Sequence, residues 1–127
     1  MVISIAISLD ASTIISGYND CKIRIWQEMT GKCINILEGH SGWVSSLKIS
    51  ADALKIFSGS HDRTIRIWEA MSGLCIKILE GHRCDIYSIA ISRDASKIFS
   101  GSKDTEIRVW ITTTGECISA LRGHSHT

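Results

Sequence analysis

Residues 37–68 read LEGHSGWVSSLKISADALKIFSGSHDRTIRIW, from Leu37 to Trp68. Residues 79–110 read LEGHRCDIYSIAISRDASKIFSGSKDTEIRVW, the same stretch moved along by 42 residues. A third, earlier version ends at Trp26, and Asp20, Asp62 and Asp104 keep the same spacing, as do Gly39-His40, Gly81-His82 and Gly123-His124. Aligned as residues 2–43, 44–85 and 86–127, the three copies are identical at 18 of 42 positions, far more than chance allows. The chain is therefore a tandem repeat, and one unit has to be understood before the whole.

Within a unit the apolar residues fall in short runs broken by turn residues. In the first copy these runs are Val2 to Ser8, Thr13 to Gly17, Lys22 to Trp26 and Cys33 to Leu37, with Asp-Ala, Ser-Gly, Thr-Gly and Gly-His pairs as punctuation. KIRIW, TIRIW and EIRVW alternate polar or basic residues with apolar ones, the period of a half-buried strand. No segment supports a helix of ~10 residues, and with no proline in the chain no ladder is interrupted on that account. The expected fold class is all-β, with four antiparallel strands to each unit.

Composition narrows the function classes. The chain has 127 residues, 44% hydrophobic and 21% charged, with a net charge of +1 and the two signs interspersed. That balance suits a folded soluble domain and offers no basic surface for nucleic acid. No apolar run approaches the ~18 residues of a membrane span, and Met1 to Ser8 lacks the features of a secretory signal. Of the five cysteines, Cys33, Cys75 and Cys117 share one register, so they belong to three different units and are not expected to pair. No Cys-x-x-Cys spacing suggests zinc. Reduced, buried thiols in a cytoplasmic protein are the expectation, and no cofactor or metal is expected.

The sequence of LEGH (Leu37 to His40), strand residues Trp43 to Ser50, IFSGSHD (Ile56 to Asp62) and TIRIW (Thr64 to Trp68) resembles a WD repeat, three times over essentially the whole chain. The Asp that usually follows Trp is replaced by Gln27, Glu69 and Ile111. The usual Ser-Pro-Asp-Gly turn becomes Ser-Leu-Asp-Ala, Ser-Ala-Asp-Ala and Ser-Arg-Asp-Ala, beginning at Ser8, Ser50 and Ser92. The resemblance implies a WD-repeat β-propeller with three four-stranded blades per chain, 2–43, 44–85 and 86–127.

Recurring Ser, His and Asp residues also invite comparison with a hydrolase triad. The family resemblance implies a structural tetrad instead: His40, Ser58, Asp62 and Trp68 in one set, His82, Ser100, Asp104 and Trp110 in the next. In it the buried indole N–H finds a hydroxyl, and the imidazole joins that hydroxyl to a carboxylate. Both Ser58 and Ser60 alternate onto one strand face, and Ser58 is the preferred partner. A catalytic set is needed once, whereas this one repeats, so an enzyme is not expected. The first copy has Ser16, Asp20 and Trp26 but no Gly-His before them, while His124 follows the third copy.

Three blades do not close a ring, since propellers have about four to eight. Either the chain is an excerpt of a longer propeller, or the expected partner is the chain itself in a head-to-tail homo-oligomer, with His124 serving the next chain. A dimer of six blades is favoured over a trimer of nine. Loops at the channel end carry partner binding in the family, which by resemblance points to Asn19, His61 and Lys103, to Met1, Trp43 and Asp85, and to Ile3, Ser45 and Tyr87. Trp43 and Tyr87 stand out, because the copies differ there and aromatic anchors suit protein interfaces. The leading expectation is a scaffold that binds a protein or peptide. The alternative is a purely structural, self-assembling or engineered propeller fragment with no evolved ligand.

Overall fold

The computed structural model describes residues 1–122. Twelve strands fall into three separate sheets. The first holds β1 (Val2–Ile7), β2 (Thr13–Tyr18), β3 (Ile23–Gln27) and β4 (Cys33–Leu37) in that spatial order. The second holds β5 (Val44–Ile49), β6 (Lys55–Ser60), β7 (Thr64–Glu69) and β8 (Cys75–Glu80). The third holds β9 (Ile86–Ile91), β10 (Lys97–Ser102), β11 (Glu106–Ile111) and β12 (Cys117–Arg122). Every pairing is antiparallel between neighbours in sequence, the meander that short turns permit. The strand positions expected from sequence agree with these elements to within a residue, and no helix occurs among the described residues.

Equivalent residues make equivalent irregularities. In each blade the register slips just before the tryptophan, which then pairs with the cysteine that opens the outermost strand: Trp26 with Cys33, Trp68 with Cys75, Trp110 with Cys117. The turn between first and second strands is built on an aspartate. Asp52 accepts the Ser50 hydroxyl at 2.6 Å and the Leu54 N–H at 3.0 Å, and Asp10 and Asp94 do the same with their own serines. The alanines that follow, Ala11, Ala53 and Ala95, lie at φ near 60°. Glycine would sit there freely, whereas a Cβ costs about 1 kcal/mol or more. The aspartate bonds hold the turn against that cost.

Packing runs between blades. One buried cluster joins Ile15, Ile23, Ile25 and Leu37 of the first blade to Val44, Leu47, Ile56 and Trp68 of the second. The other joins Phe57, Ile65, Ile67 and Leu79 of the second blade to Ile86, Ile89, Ile98 and Trp110 of the third. Position for position, the second cluster is the first displaced by one repeat. Among the described residues the core thus lies between blades, and only the middle blade is covered on both faces.

The cysteines depart from expectation. All five are free, but none is buried: Cys33 and Cys117 are exposed, and Cys21, Cys75 and Cys84 are half-buried. Cys33, Cys75 and Cys117 begin the outermost strands, where one edge meets solvent, and each thiol donates to the carbonyl two residues on at 3.4 Å.

Candidate functional site

The middle blade assembles the Ser–His–Asp–Trp set completely. The Trp68 indole N–H donates to Ser58 Oγ at 2.8 Å, and Ser58 Oγ lies 2.6 Å from His40 Nε2. His40 Nδ1 meets Asp62 Oδ2 at 2.8 Å. Asp62 also accepts the Ser41 and Thr64 N–H groups at 3.0 and 2.9 Å and the Thr64 hydroxyl at 2.6 Å. Since an ionised carboxylate only accepts, Nδ1 carries the proton and Nε2 receives the Ser58 hydrogen. Burial pushes the Asp62 carboxyl up, but the bonds from His40 and Thr64, the attraction of His40 and the Ser41 N–H outweigh it and hold the group well below its ordinary value.

That donor order is the one a hydrolase uses. The surroundings differ. Ser58 is fully enclosed, its oxygen is occupied by the indole N–H, and the imidazole has no exposed surface. A carbonyl substrate has no approach to the hydroxyl. The arrangement satisfies buried polar atoms and ties the start of β5 to β6 and β7.

The third blade repeats half of this. Trp110 donates to Ser100 at 2.9 Å, and Ser100 lies 2.6 Å from His82 Nε2. There the network stops: His82 Nδ1 is buried without a hydrogen-bond partner. Asp104, expected to complete the set, instead takes the Ser102 hydroxyl and the Glu106 N–H. The difference traces to Glu106, which stands where the middle blade has Thr64. A threonine hydroxyl fastens Asp62, whereas a second carboxylate repels Asp104 and is itself claimed by Arg108 at 2.6 Å and Arg122 at 3.2 Å. Glu106 Oε1 comes no nearer His82 Nδ1 than 3.7 Å. Burial, and then the Arg108 charge, keep His82 below its usual pKa.

The first blade finds a third solution. Trp26 donates to Ser16 at 2.8 Å, and Ser16 donates to the Tyr18 hydroxyl at 3.0 Å. Tyr18 occupies the register of Ser60 and Ser102, and its ring lies 4.5 Å from the Arg24 guanidinium carbon. Asp20 sits apart, 3.5 Å from Arg24. His124 and His126 lie outside the described residues. Sequence reasoning passed over both Tyr18 and Glu106. The signal available for each was a departure from the repeat beside the tetrad positions.

Among the described residues, His82, Asp104 and Glu106 bring their possible metal-ligating atoms within 4.8 Å of one another. Asp104 and Glu106 border an open cleft of about 510 Å³ that Arg83, Lys103 and Arg122 also line. Both Glu106 oxygens are engaged by arginines, Oε1 by Arg108 and Oε2 by Arg122, and further cations stand around the rim.

The channel-end positions join in pairs by backbone bonds: Asn19 N–H to Met1 C=O at 3.3 Å, His61 to Trp43 at 2.9 Å, Lys103 to Asp85 at 2.9 Å. Among the described residues, side chains at these positions converge between the second and third blades. There the Trp43 and His61 rings stack at 5.5 Å, and His61 meets the Tyr87 ring edge-on at 5.4 Å. Asp85 Oδ2 lies 3.8 Å from His61 Nδ1. Trp43 and Tyr87 remain about half exposed. Ser45 is committed elsewhere, donating to the carbonyls of Gly59 and Ile86. Asn19 receives the Met1 amino group at 3.1 Å, and Lys103 points to the cleft beside Arg83.

Comparison with known proteins agrees with this geometry. The family model described as WD domain, G-beta repeat matches residues 1–27, 31–69 and 73–110. The structure of U3-55K superposes with a TM-score of 0.92 at 28% identity, and the crystal structure of RRP9 WD40 repeats with 0.92 at 29%; each covers 98% of this chain. The chain spans 40% and 39% of those two structures. A comparison with curated protein sequences gives no match.

Proposed function

We propose, from the premise that this chain belongs to the WD domain, G-beta repeat family, that it is a non-enzymatic scaffold binding a protein or peptide at the channel end through Trp43, His61 and Tyr87. Proteins of this family generally serve as interaction scaffolds. The observation that carries the reading is the aromatic cluster, which spans two blades and uses residues the repeat itself does not require. Its rings are already stacked, so little side-chain freedom is lost when a partner arrives. Large flat side chains with polar tips are the usual anchors of protein interfaces, and Asp85 beside them adds an acceptor for a donor group of the partner. Probing a proteome-derived peptide array with the wild-type chain and with Trp43→Ala and Tyr87→Ala tests it. Each substitution is expected to weaken captured peptides about tenfold or more, from roughly 2 kcal/mol at an anchor. Wild-type binding by both variants would overturn the reading.

A second reading, closure of a ring from copies of this chain, is supported by the apolar residues bared on the two outward blade faces. Two chains supply six blades, within the range that propellers use. Light scattering should give about 28 kDa, twice the 14.0 kDa chain. About 42 kDa would replace two chains with three, and 14.0 kDa would overturn self-association.

A further inference from the structure

Departures of the third blade from the middle one collect in one place. Where the middle blade has Ser41, Gly42, His61, Thr64 and Glu80, the third has Arg83, Cys84, Lys103, Glu106 and Arg122. All five of the latter line the open cleft of about 510 Å³ beside the turn from β10 to β11.

Gly42 shows what changed in shape. In the middle blade the loop before β5 sits directly on the turn after β6. The Ser41 N–H donates to Asp62 at 3.0 Å, and a Cβ on Gly42 would lie 2.7 Å from the Asp62 nitrogen and 3.0 Å from the His61 carbonyl carbon. Cys84 carries the Cβ that this contact excludes, so the loop before β9 stands off its turn. Among the described residues, Asp104 takes only the Ser102 hydroxyl and the Glu106 N–H. The gap between loop and turn is the cleft.

Charge changed with shape. Among the described residues neither Arg83 nor Lys103 forms an ion pair, and both are exposed. Arg122 bonds Glu106 through Nε and keeps 65% of its side chain exposed. Arg108 already balances Glu106. The cleft therefore sets Arg83, Lys103 and Arg122 against a single uncommitted carboxylate, Asp104. The middle blade has Ser41 and Glu80 at two of those three cationic positions.

The cleft also adjoins the aromatic cluster. The Lys103 N–H donates to the Asp85 carbonyl at 2.9 Å, and the run from Arg83 through Asp85 leads straight to Tyr87. A peptide held on Trp43 and Tyr87 has the cleft within reach of its next few residues, at ~3.3 Å for each extended residue.

Resting on the scaffold reading above, we infer that the cleft takes a side-chain oxyanion of the bound peptide: the carboxylate of Asp or Glu, or the phosphate of a phosphorylated residue. Arg83 and Arg122 supply planar forks that grip either group through two bonds, and Lys103 adds a compact charge. Nucleic acid carries the same phosphates. A cationic excess confined to one cleft, on a chain of net charge +1, gives its backbone no track to follow.

NMR titration of the ¹⁵N-labelled chain tests this with acetyl-Glu-Glu-Glu-amide, acetyl-Gly-phosphoSer-Gly-amide and acetyl-Lys-Lys-Lys-amide. An anionic peptide should give saturable shifts confined to residues 83–85 and 103–106, and the lysine peptide none. The tighter of the two anionic peptides tells carboxylate from phosphate. Arg83→Glu and Lys103→Glu replace exposed side chains, so both variants should keep the wild-type far-UV circular dichroism. Each should weaken the anionic peptide about tenfold or more, since like charges then face each other. No shifts at these residues, unchanged affinity in both variants, or tighter binding of an oligothymidylate would overturn the proposal. Array peptides that need Trp43 yet show no acidic preference would sink the cleft and keep the scaffold reading. Anionic peptides bound here, with array capture indifferent to Trp43 and Tyr87, would sink the aromatic anchor and keep the cleft.

Discussion

The middle and third blades are near-copies, each following an LEGH and sharing KIFSGS and the Ile-Arg-apolar-Trp strand, yet the middle blade is closed where the third is open. The middle blade buries both faces and satisfies every member of its Ser–His–Asp–Trp set. The third blade has one bare face and a buried imidazole nitrogen with no partner. Two differences account for this. The face is bare because no entering strand lies on Gly101 in the single chain. The network is open because Glu106 replaces Thr64. A repeat therefore fixes the fold through the positions it keeps, and individual blades acquire their own character through those it lets vary.

Gly59 and Gly101 give the largest contrast. Gly59→Val forces a branched side chain against Ile86 and Ile89, and overpacking of this kind costs about 1–3 kcal/mol or more. In the single chain, Gly101→Val should be neutral or slightly stabilising, because valine suits a strand and finds space there. Urea unfolding of both variants at a concentration where the chain is dissociated checks this. Equal losses would mean that the two faces are not equivalent in the way described.

A smaller effect is expected at Glu106. Glu106→Thr should let Asp104 swing to His82 as Asp62 meets His40, gaining roughly 1 kcal/mol for one satisfied buried donor. Loss of the Arg108 and Arg122 bonds offsets part of that gain. The specific sign of closure is the His82 imidazole: its Nδ1 proton should acquire the slow solvent exchange of a buried hydrogen bond in NMR. Unchanged exchange would show that Thr64 is not what closes the middle blade.

Much of this was legible in the sequence because it lies in repeated positions. The strands follow from period-two alternation and from the 42-residue register, whereas the choice of Ser58 over Ser60 does not, since both alternate onto one face. Burial of Cys33, Cys75 and Cys117 was misjudged because alternation says which side a residue faces, not whether its strand is outermost. Tyr18 and Glu106 were missed for a different reason. Each acts through a long side chain that reaches across the strand face, Tyr18 onto Ser16 and Glu106 between Asp104 and Arg108, and the repeat has no template for that reach. The convergence of Trp43, His61 and Tyr87 came from loops of two blades, which only the arrangement of the blades brings together.

The central claim is that the recurring Ser–His–Asp–Trp positions are architecture, complete in the middle blade and incomplete in the third. Side-by-side equilibrium unfolding of Asp62→Ala and Asp104→Ala tests it most directly. Asp62 holds the imidazole, two backbone N–H groups and a hydroxyl, so its loss should cost about 1–3 kcal/mol. Asp104 is exposed and serves only its own turn, so its loss should cost under about 1 kcal/mol. Equal costs for the two, or an Asp62→Ala chain as stable as wild type, would contradict the account.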